Sequence, residues 1–144
     1  MLREGGNMNR DVSTGVATVL VVDEEPIILE MISEELNRQG FSVLEAETGE
    51  AALSIIESDQ RVDLLFTDIW LPGELDGWRL AETARKRRPK LAIIYVTGYA
   101  VERGEAVPGS VFLKKPYRPS EIVATIRTLI TTKECPTGAA LCAL

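Results

Sequence analysis

The chain has no histidine among its 144 residues. This absence excludes a Ser-His-Asp triad, an internal histidine base and every histidine-ligated metal site. No apolar run approaches the ~20 residues of a membrane-spanning helix, and residues 1–15 lack the apolar core of a signal peptide. We therefore expect a cytoplasmic protein whose chemistry uses carboxylates, hydroxyls, lysine and backbone amides.

Cysteine is scarce, and positive charge is in the minority. Cys135 and Cys142 both lie near the C-terminal end, which is too few for a disulfide framework. The formal net charge of −6 argues against direct nucleic-acid binding. One basic run, RKRRPK at 85–90, is interpreted as the end of a helix, where cations suit the dipole. A nucleic-acid or targeting patch is the alternative interpretation.

Five apolar runs alternate with five segments of helical character. The predicted strands cover 17–23, 41–46, 62–68, 91–97 and 110–116. The predicted helices run from Pro26 to Gly40, from a cap at Thr48 to Ile56, from Leu75 to Arg88, weakly over 99–106, and onward from a cap at Ser120. This alternation predicts an α/β fold with a parallel sheet and helices on both faces. We expect one domain over 16–132, between a flexible N-terminal tail (1–15) and a C-terminal tail (133–144).

Polar side chains follow four of the predicted strands. They are Asp23 with Glu24, then Asp68, Thr97 and Lys115. Because the functional crevice of a parallel sheet lies beyond the carboxyl ends of its strands, we expect these side chains to share one edge. Clustered carboxylates raise one another's pKa, and a divalent cation relieves that repulsion. Oxygen ligands alone favour Mg²⁺.

Phosphoryl transfer is the chemistry that suits this set. Lys115 adds a positive charge, and the Thr97 hydroxyl can donate a hydrogen bond to a phosphoryl oxygen. Gly98, directly after it, allows its backbone N–H to approach the same group closely. Asp68 is central among the strand ends, with the freest path for attack. It is therefore the candidate nucleophile for an aspartyl-phosphate.

Four segments, VLVVDEEP, LLFTDIWLPGELDGW, VTGYA and FLKKPY, resemble in order and spacing the receiver domain of two-component response regulators. The resemblance covers about residues 17 to 132. It implies a flavodoxin-like, doubly wound, five-stranded parallel sheet of order 2-1-3-4-5 with five helices. It also implies a phosphorelay protein that accepts a phosphoryl group on Asp68 with Mg²⁺. Such a protein assists its own phosphorylation and dephosphorylation but is not otherwise an enzyme.

The resemblance implies a role for each site residue. The implied Mg²⁺ ligands are Asp23, Glu24, Asp68 and the backbone carbonyl of Trp70. The implied phosphoryl-binding positions are Ile69, Gly98 and Lys115. Thr97 and Phe112 match a switch pair in which the aromatic ring turns inward as the hydroxyl moves. The Lys115–Pro116 bond matches one that is cis in the family.

Two departures from the family pattern stand out. The acidic pair is Asp-Glu rather than Asp-Asp, so the longer Glu24 has to fold back to reach a metal ion. The loop LPGELDG carries one extra residue between Pro72 and Asp76, which affects the loop path and the start of the following helix. Neither departure removes a reacting group.

The absence of histidine also determines where the phosphodonor must lie. A phosphodonor histidine must lie on another protein, either a histidine kinase or a phosphotransfer protein. We expect output through a downstream protein target or a homodimer, on the face formed by the helix over 99–106, the fifth strand and the last helix. Both a stand-alone regulator and the receiver of a hybrid kinase stay open. The segments LPG-x-x-DG and TGYA resemble those of hybrid-kinase receivers, which favours the second.

The same residues argue against three rival functions. A Mg²⁺-dependent phosphohydrolase with an aspartyl nucleophile needs an acid two residues later, where this chain has Trp70. A binding-only module would be expected if Asp68, Thr97 or Lys115 were replaced. Dinucleotide binding is disfavoured because no G-x-G-x-x-G follows the first strand.

Overall fold

The computed structural model describes residues 16–98 and 106–133. Five strands and four helices lie in this part of the chain. In order they are β1 (Thr18–Val22), α1 (Pro26–Arg38), β2 (Ser42–Ala46), α2 (Gly49–Ile56), β3 (Leu64–Asp68), α3 (Gly77–Arg87), β4 (Ala92–Thr97), β5 (Val111–Lys114) and α4 (Pro119–Lys133). No helix in these ranges is both long and apolar enough to cross a membrane.

The strands form one sheet in the order β2-β1-β3-β4-β5. All four neighbouring pairs are parallel. The predicted doubly wound sheet and its strand order are therefore confirmed. Because parallel strands point the same way, the residues that follow β1, β3, β4 and β5 come to one edge.

Alternate residues of the strands supply two cores, one on each face of the sheet. One core takes its helical residues from α1 and α4, including Leu29, Ile32, Ile122 and Ile126. The other takes them from α2 and α3, including Ala52, Ile56, Leu80 and Ala84. With both faces covered, β1, β3 and β4 are buried along their whole length, which explains their continuous apolar sequences.

Two predicted helix boundaries are confirmed by local chemistry. The Thr48 side chain accepts a hydrogen bond from the Ala51 N–H at 3.0 Å and so caps α2. Gly40 follows α1 with a φ of 97°, a left-handed conformation that glycine adopts without strain.

Two other boundaries were predicted wrongly. The third helix begins at Gly77 rather than Leu75, because the Asp76 carboxylate accepts from the Arg79 N–H and caps the helix there. The last helix begins at Pro119, so Ser120 lies inside it and is not its cap. The Glu121 carboxylate instead accepts a hydrogen bond from the Arg118 N–H at 2.9 Å.

The remaining differences concern the region before α4. The fifth strand, predicted over 110–116, covers only Val111–Lys114. The predicted helix over 99–106 lies outside the described residues except for Ala106, which is not helical. The described ranges therefore hold four of the five predicted helices. Both predicted tails also lie outside them, apart from Lys133 at the end of α4.

Two arginines of the basic run at 85–90 donate hydrogen bonds to backbone carbonyl oxygens of other segments. Arg88 donates to the carbonyl oxygens of Ile56, Ser58 and Gln60 at 2.8–3.0 Å. Arg85 donates to the carbonyls of Leu91 and Pro108. The run forms the last turn of α3 and the residues just after it, which confirms its interpretation as the end of a helix.

Candidate functional site

The strand-end residues converge as the sequence predicts. Asp23, Asp68 and Thr97 are all buried, with exposed fractions of 4%, 9% and 4%. Lys115 follows β5, and its Nζ lies 3.1 Å from Asp68 Oδ2. A buried carboxylate at the end of a buried strand therefore has an ammonium partner, which offsets part of the cost of removing its charge from water.

The second oxygen of Asp68 faces the backbone of the following loop. Trp70 donates its N–H to Asp68 Oδ1 at 3.3 Å. The N–H of Ile69 instead donates to the Val96 carbonyl at 3.1 Å, continuing the pairing of β3 with β4. The Ile69 side chain is fully buried. The predicted phosphoryl-binding role of Ile69 is therefore wrong, and Trp70 supplies the amide that faces the carboxylate.

Gly77 explains the sharp bend after Asp68. The helix α3 begins directly against the end of β3, with the Gly77 N–H donating to the Ile69 carbonyl at 2.7 Å. A Cβ at this position would lie 2.3 Å from the Asp68 carbonyl oxygen. Only glycine permits this approach, so the Asp-Gly pair that closes the loop serves the geometry of Asp68.

Asp23 is held by the turn that leads into α1. Its Oδ1 accepts the Glu25 N–H at 2.9 Å. Burial raises the pKa of Asp23 above its ordinary value, against the lowering effects of the Glu25 N–H and the Lys115 charge, while the Asp68 charge raises it further. Asp23 therefore lies at the same edge of the sheet as Lys115 and Asp68, within reach of their charges.

Glu24 differs from the other acids because its side chain is exposed. Within the described residues, no three acidic or cysteine side chains are grouped so that they could hold a metal ion. The expected cluster of three carboxylates is therefore not assembled. Two buried carboxylates remain at this edge, and Mg²⁺ typically binds one or two carboxylates and keeps several waters. Asp23, Asp68 and the Trp70 carbonyl are thus a donor set that fits Mg²⁺, and the ligand role of Glu24 stays a prediction.

Lys115 is tied to the sheet by its backbone as well as its side chain. Its N–H donates to the Thr97 carbonyl at 2.8 Å, and the peptide bond to Pro116 is cis, as the resemblance implies. Burial alone would lower the pKa of Lys115, but the hydrogen bond and charge of Asp68, with the charges of Asp23 and Glu25, raise it overall. The ammonium therefore stays protonated beside Asp68.

The predicted switch residues lie on the same face of the sheet. Thr97 ends β4, and Gly98 after it is the last described residue before the gap. Phe112 lies on β5 opposite Tyr95, and its ring packs against the rings of Trp78 and Tyr95 at centroid distances of 5.8 and 5.1 Å. The structure thus brings Thr97 and Phe112 to neighbouring strands. Their movement stays a prediction.

Tyr117 is a site neighbour that the sequence analysis missed. Its ring packs edge-on against Phe66, with the centroids 6.2 Å apart. Burial, together with the negative charges of Asp23, Asp68 and Glu25, raises its pKa to about 12. The segment KKPY offered a signal, because a tyrosine two residues after Lys115 must lie near the same strand edge.

Sequence comparison identifies relatives of this chain. A sequence model of the response regulator receiver domain matches residues 19–127. The sensor kinase CckA of Brucella abortus is 31% identical over 126 residues, which are 84% of this chain and 13% of that protein. The probable transcriptional regulatory protein TcrX of Mycobacterium tuberculosis is 32% identical over 117 residues, covering 78% of this chain and 49% of that protein. The chain thus spans half or less of these relatives.

Solved structures agree with the sequence matches. A response regulator receiver protein from Sinorhizobium medicae aligns with a TM-score of 0.79 at 29% identity, covering 84% of this chain and 99% of that one. The receiver domain of the hybrid histidine kinase CckA aligns with a TM-score of 0.70 at 29% identity, covering 79% and 99%. Sequence, strand order and the converging strand-end residues all agree, and this chain belongs to the response regulator receiver domain family.

Proposed function

We propose that this chain accepts a phosphoryl group on Asp68 from a histidine of a partner kinase or phosphotransfer protein. Receiver domains are signalling domains, and accepting a phosphoryl group is their function. The assignment to Asp68 rests on the environment of its carboxylate at the sheet edge. The carboxylate is buried, with an ammonium 3.1 Å from one oxygen and a backbone N–H 3.3 Å from the other.

In the proposed step, an Asp68 oxygen forms a bond to phosphorus while the bond from phosphorus to the donor's imidazole nitrogen breaks. The electron pair of that bond returns to the imidazole. Lys115 stabilises the charge on the phosphoryl oxygens, and the Thr97 hydroxyl, the Trp70 N–H and the Gly98 N–H are donors to the same oxygens. These groups position and stabilise, so the chain assists its own phosphorylation.

The residues that would hold Mg²⁺ are Asp23, Asp68 and the carbonyl of Trp70. When bound, the cation supplies charge stabilisation at the phosphoryl oxygens. Glu24 is exposed and would act from the rim of the site. Asp23 has one oxygen committed to the Glu25 N–H, which leaves the other for the cation or its waters.

The test is phosphorylation with acetyl phosphate and Mg²⁺, followed by intact mass. Wild type should gain one acid-stable, base-labile phosphoryl group, and Asp68→Asn should gain none. Asp76→Asn is the matched control, because asparagine caps a helix as well as aspartate does. This control should be labelled like wild type. Labelling of Asp68→Asn at the wild-type rate would show that another residue is the acceptor.

An exposed apolar surface beside the site suits the proposed phosphodonor. Ile27 and Met31 lie one turn apart on α1 and are 78% and 40% exposed, and Trp70 in the loop after Asp68 is 52% exposed. Since α1 starts just after Asp23, a protein that covers Ile27 and Met31 lies next to Asp68. We infer that the donor protein docks here.

Replacing Ile27 and Met31 with serine should slow phosphotransfer from a phosphorylated partner about tenfold or more, the effect of losing ~1.4 kcal/mol of contact energy. Phosphorylation by acetyl phosphate should not change, because this small donor needs no docking surface. Glu34→Gln on the same helix is the control. An equal loss with both donors would contradict the docking role.

The output side of the proposal follows from Thr97 and Phe112. Phosphorylation is proposed to move this pair and to switch a protein-contact surface that includes β5 and α4. A downstream protein target, a homodimer through the same face and a cytoplasmic location belong to this proposal. It involves no direct contact with nucleic acid.

A further inference from the structure

Three aromatic rings meet beneath the β5 side of the sheet. Trp78 of α3, Tyr95 of β4 and Phe112 of β5 form what we call the aromatic trio. The ring centroids are 4.9 Å apart for Trp78 and Tyr95, 5.1 Å for Tyr95 and Phe112, and 5.8 Å for Trp78 and Phe112. Tyr95 is fully buried and directly opposite Phe112 in the strand register. The Phe112 ring therefore packs against both Tyr95 and Trp78.

The Tyr95 hydroxyl connects this trio to the turn before β5. It accepts the backbone N–H of Val107 at 3.1 Å. The Ser110 side chain, itself buried, donates to the Val107 carbonyl at 2.7 Å and also hydrogen-bonds with the Tyr95 hydroxyl. One phenol in the centre of β4 thus holds the 107–110 turn, from which β5 continues to Phe112.

Tyr95 lies on the strand that ends at the proposed phosphorylation site. It precedes Thr97 by two residues, so both side chains lie on the same face of β4. The backbone of Thr97 is hydrogen-bonded to Lys115, three residues after Phe112. A displacement of Phe112 therefore acts on the fully buried Tyr95 ring, with which it is in contact. Packed interiors respond to such a push by changing between discrete arrangements.

We propose that Tyr95 is a positioning residue of the switch, whose hydroxyl couples occupancy of the Asp68 site to the Val107–Ser110 turn. This inference rests on the proposed phosphoacceptor function, and it adds Tyr95 to the switch residues Thr97 and Phe112. Thr97 and Phe112 lie on two paired strands, with Tyr95 opposite Phe112, and the Tyr95 hydroxyl carries the change to the turn.

Hydrogen exchange of the Val107 amide tests the coupling. The probe is Mg²⁺ with beryllofluoride, a phosphoryl mimic, and its binding is measured separately by calorimetry. In wild type, saturation should change exchange in 107–110 by at least threefold. In Tyr95→Phe, exchange without the probe should be about threefold to tenfold faster, as expected from the loss of one hydrogen bond. The probe should then change it by less than a factor of about 1.5.

Ser58→Ala is the control, since it removes a hydroxyl that hydrogen-bonds to the backbone at the end of α2, and it should respond like wild type. Ser110→Ala is a second variant that leaves the aromatic trio intact, and it should reduce the response at least twofold. Because coupling is reciprocal, probe affinity in Tyr95→Phe should shift by no more than the lost coupling factor. A purely structural role would not remove the response while binding persists.

Two results would overturn the proposal while the phosphoacceptor function stands. One is a wild-type protein that binds the probe with no change at 107–110. The other is a Tyr95→Phe variant that keeps the full response. If calorimetry showed no binding by wild type, the site assignment itself would be wrong, and the coupling proposal would be rejected with it.

Discussion

Replacing Gly77 with alanine should disturb Asp68 without touching its side chain. An added Cβ would lie 2.3 Å from the Asp68 carbonyl oxygen and 2.7 Å from Ile69 Cα. Both neighbours are backbone atoms, so neither can rotate away. The end of β3 and the start of α3 must separate, and the hydrogen bond from the Gly77 N–H to the Ile69 carbonyl, now 2.7 Å, must lengthen.

The expected magnitude follows from these contacts. Overpacking costs about 1–3 kcal/mol, and a lost backbone hydrogen bond costs about 0.5–1.5 kcal/mol. The better helix propensity of alanine returns up to about 1 kcal/mol. We expect the free energy of unfolding to fall by about 1–3 kcal/mol. Relieving the contact requires a shift of about 1 Å in the Asp68 backbone, and a misplacement of that size can slow a reaction about a hundredfold.

The assay combines urea unfolding with the rate of phosphorylation by acetyl phosphate. Gly49→Ala is the matched control, because its Cβ would lie 2.4 Å from the Leu75 carbonyl oxygen, a similar clash away from Asp68. It should lose comparable stability and keep its phosphorylation rate within about threefold, since no reacting group moves. If Gly77→Ala were phosphorylated at the wild-type rate, the argument that Gly77 positions Asp68 would be refuted.

Three further predictions concern charge. Arg88→Met should lower the free energy of unfolding by about 1–3 kcal/mol, because three backbone carbonyls lose their donor. Arg87→Met is the control, because it breaks only an exposed ion pair and should lower the free energy of unfolding by under about 1 kcal/mol. The folded state raises the pKa of Tyr117 from 10.0 to about 12, so the stability from this group is complete below pH 10 and is lost as the pH rises towards 12. Tyr117→Phe should therefore lose less stability than wild type between pH 9 and 11.5 in urea titrations, and parallel curves would contradict this. Calorimetric titration with Mg²⁺ should show about tenfold weaker binding for Asp23→Asn and a smaller loss for Glu24→Gln, whereas the reverse order would place Glu24 in the site.

The fold could be predicted from the sequence because its strongest signals are local. Buried parallel strands need continuous apolar residues, and the runs around Val19–Val22, Leu64–Phe66 and Ile93–Val96 contain little else. Polar residues directly after these runs then fall on one edge by topology alone. That is why Asp23, Asp68, Thr97 and Lys115 could be grouped from the sequence. The comparisons confirm the family that the sequence resembles.

The details that could not be predicted depend on contacts between distant segments. Whether Ile69 or Trp70 presents its amide to Asp68 depends on strand pairing, since the Val96 carbonyl takes the Ile69 N–H. Leu75 looks like a first helical residue, but its backbone packs against Gly49 and the helix starts two residues later. The bond from the Val107 N–H to the Tyr95 hydroxyl joins groups that no local pattern connects.

The formal charges at the sheet edge indicate in which state the site has a net charge close to zero. Asp23 and Asp68 carry two negative charges, and Lys115 carries a single positive one, so the buried groups alone are net negative. A bound Mg²⁺ reverses the sign, which favours an anionic phosphodonor. Conversion of the Asp68 carboxylate to an aspartyl-phosphate adds roughly one negative unit and brings the site close to neutral. We therefore expect Asp23 to contribute to the proposed reaction through its charge, because that charge would bring the site to neutrality only when a cation, Lys115 and the phosphoryl group are present together.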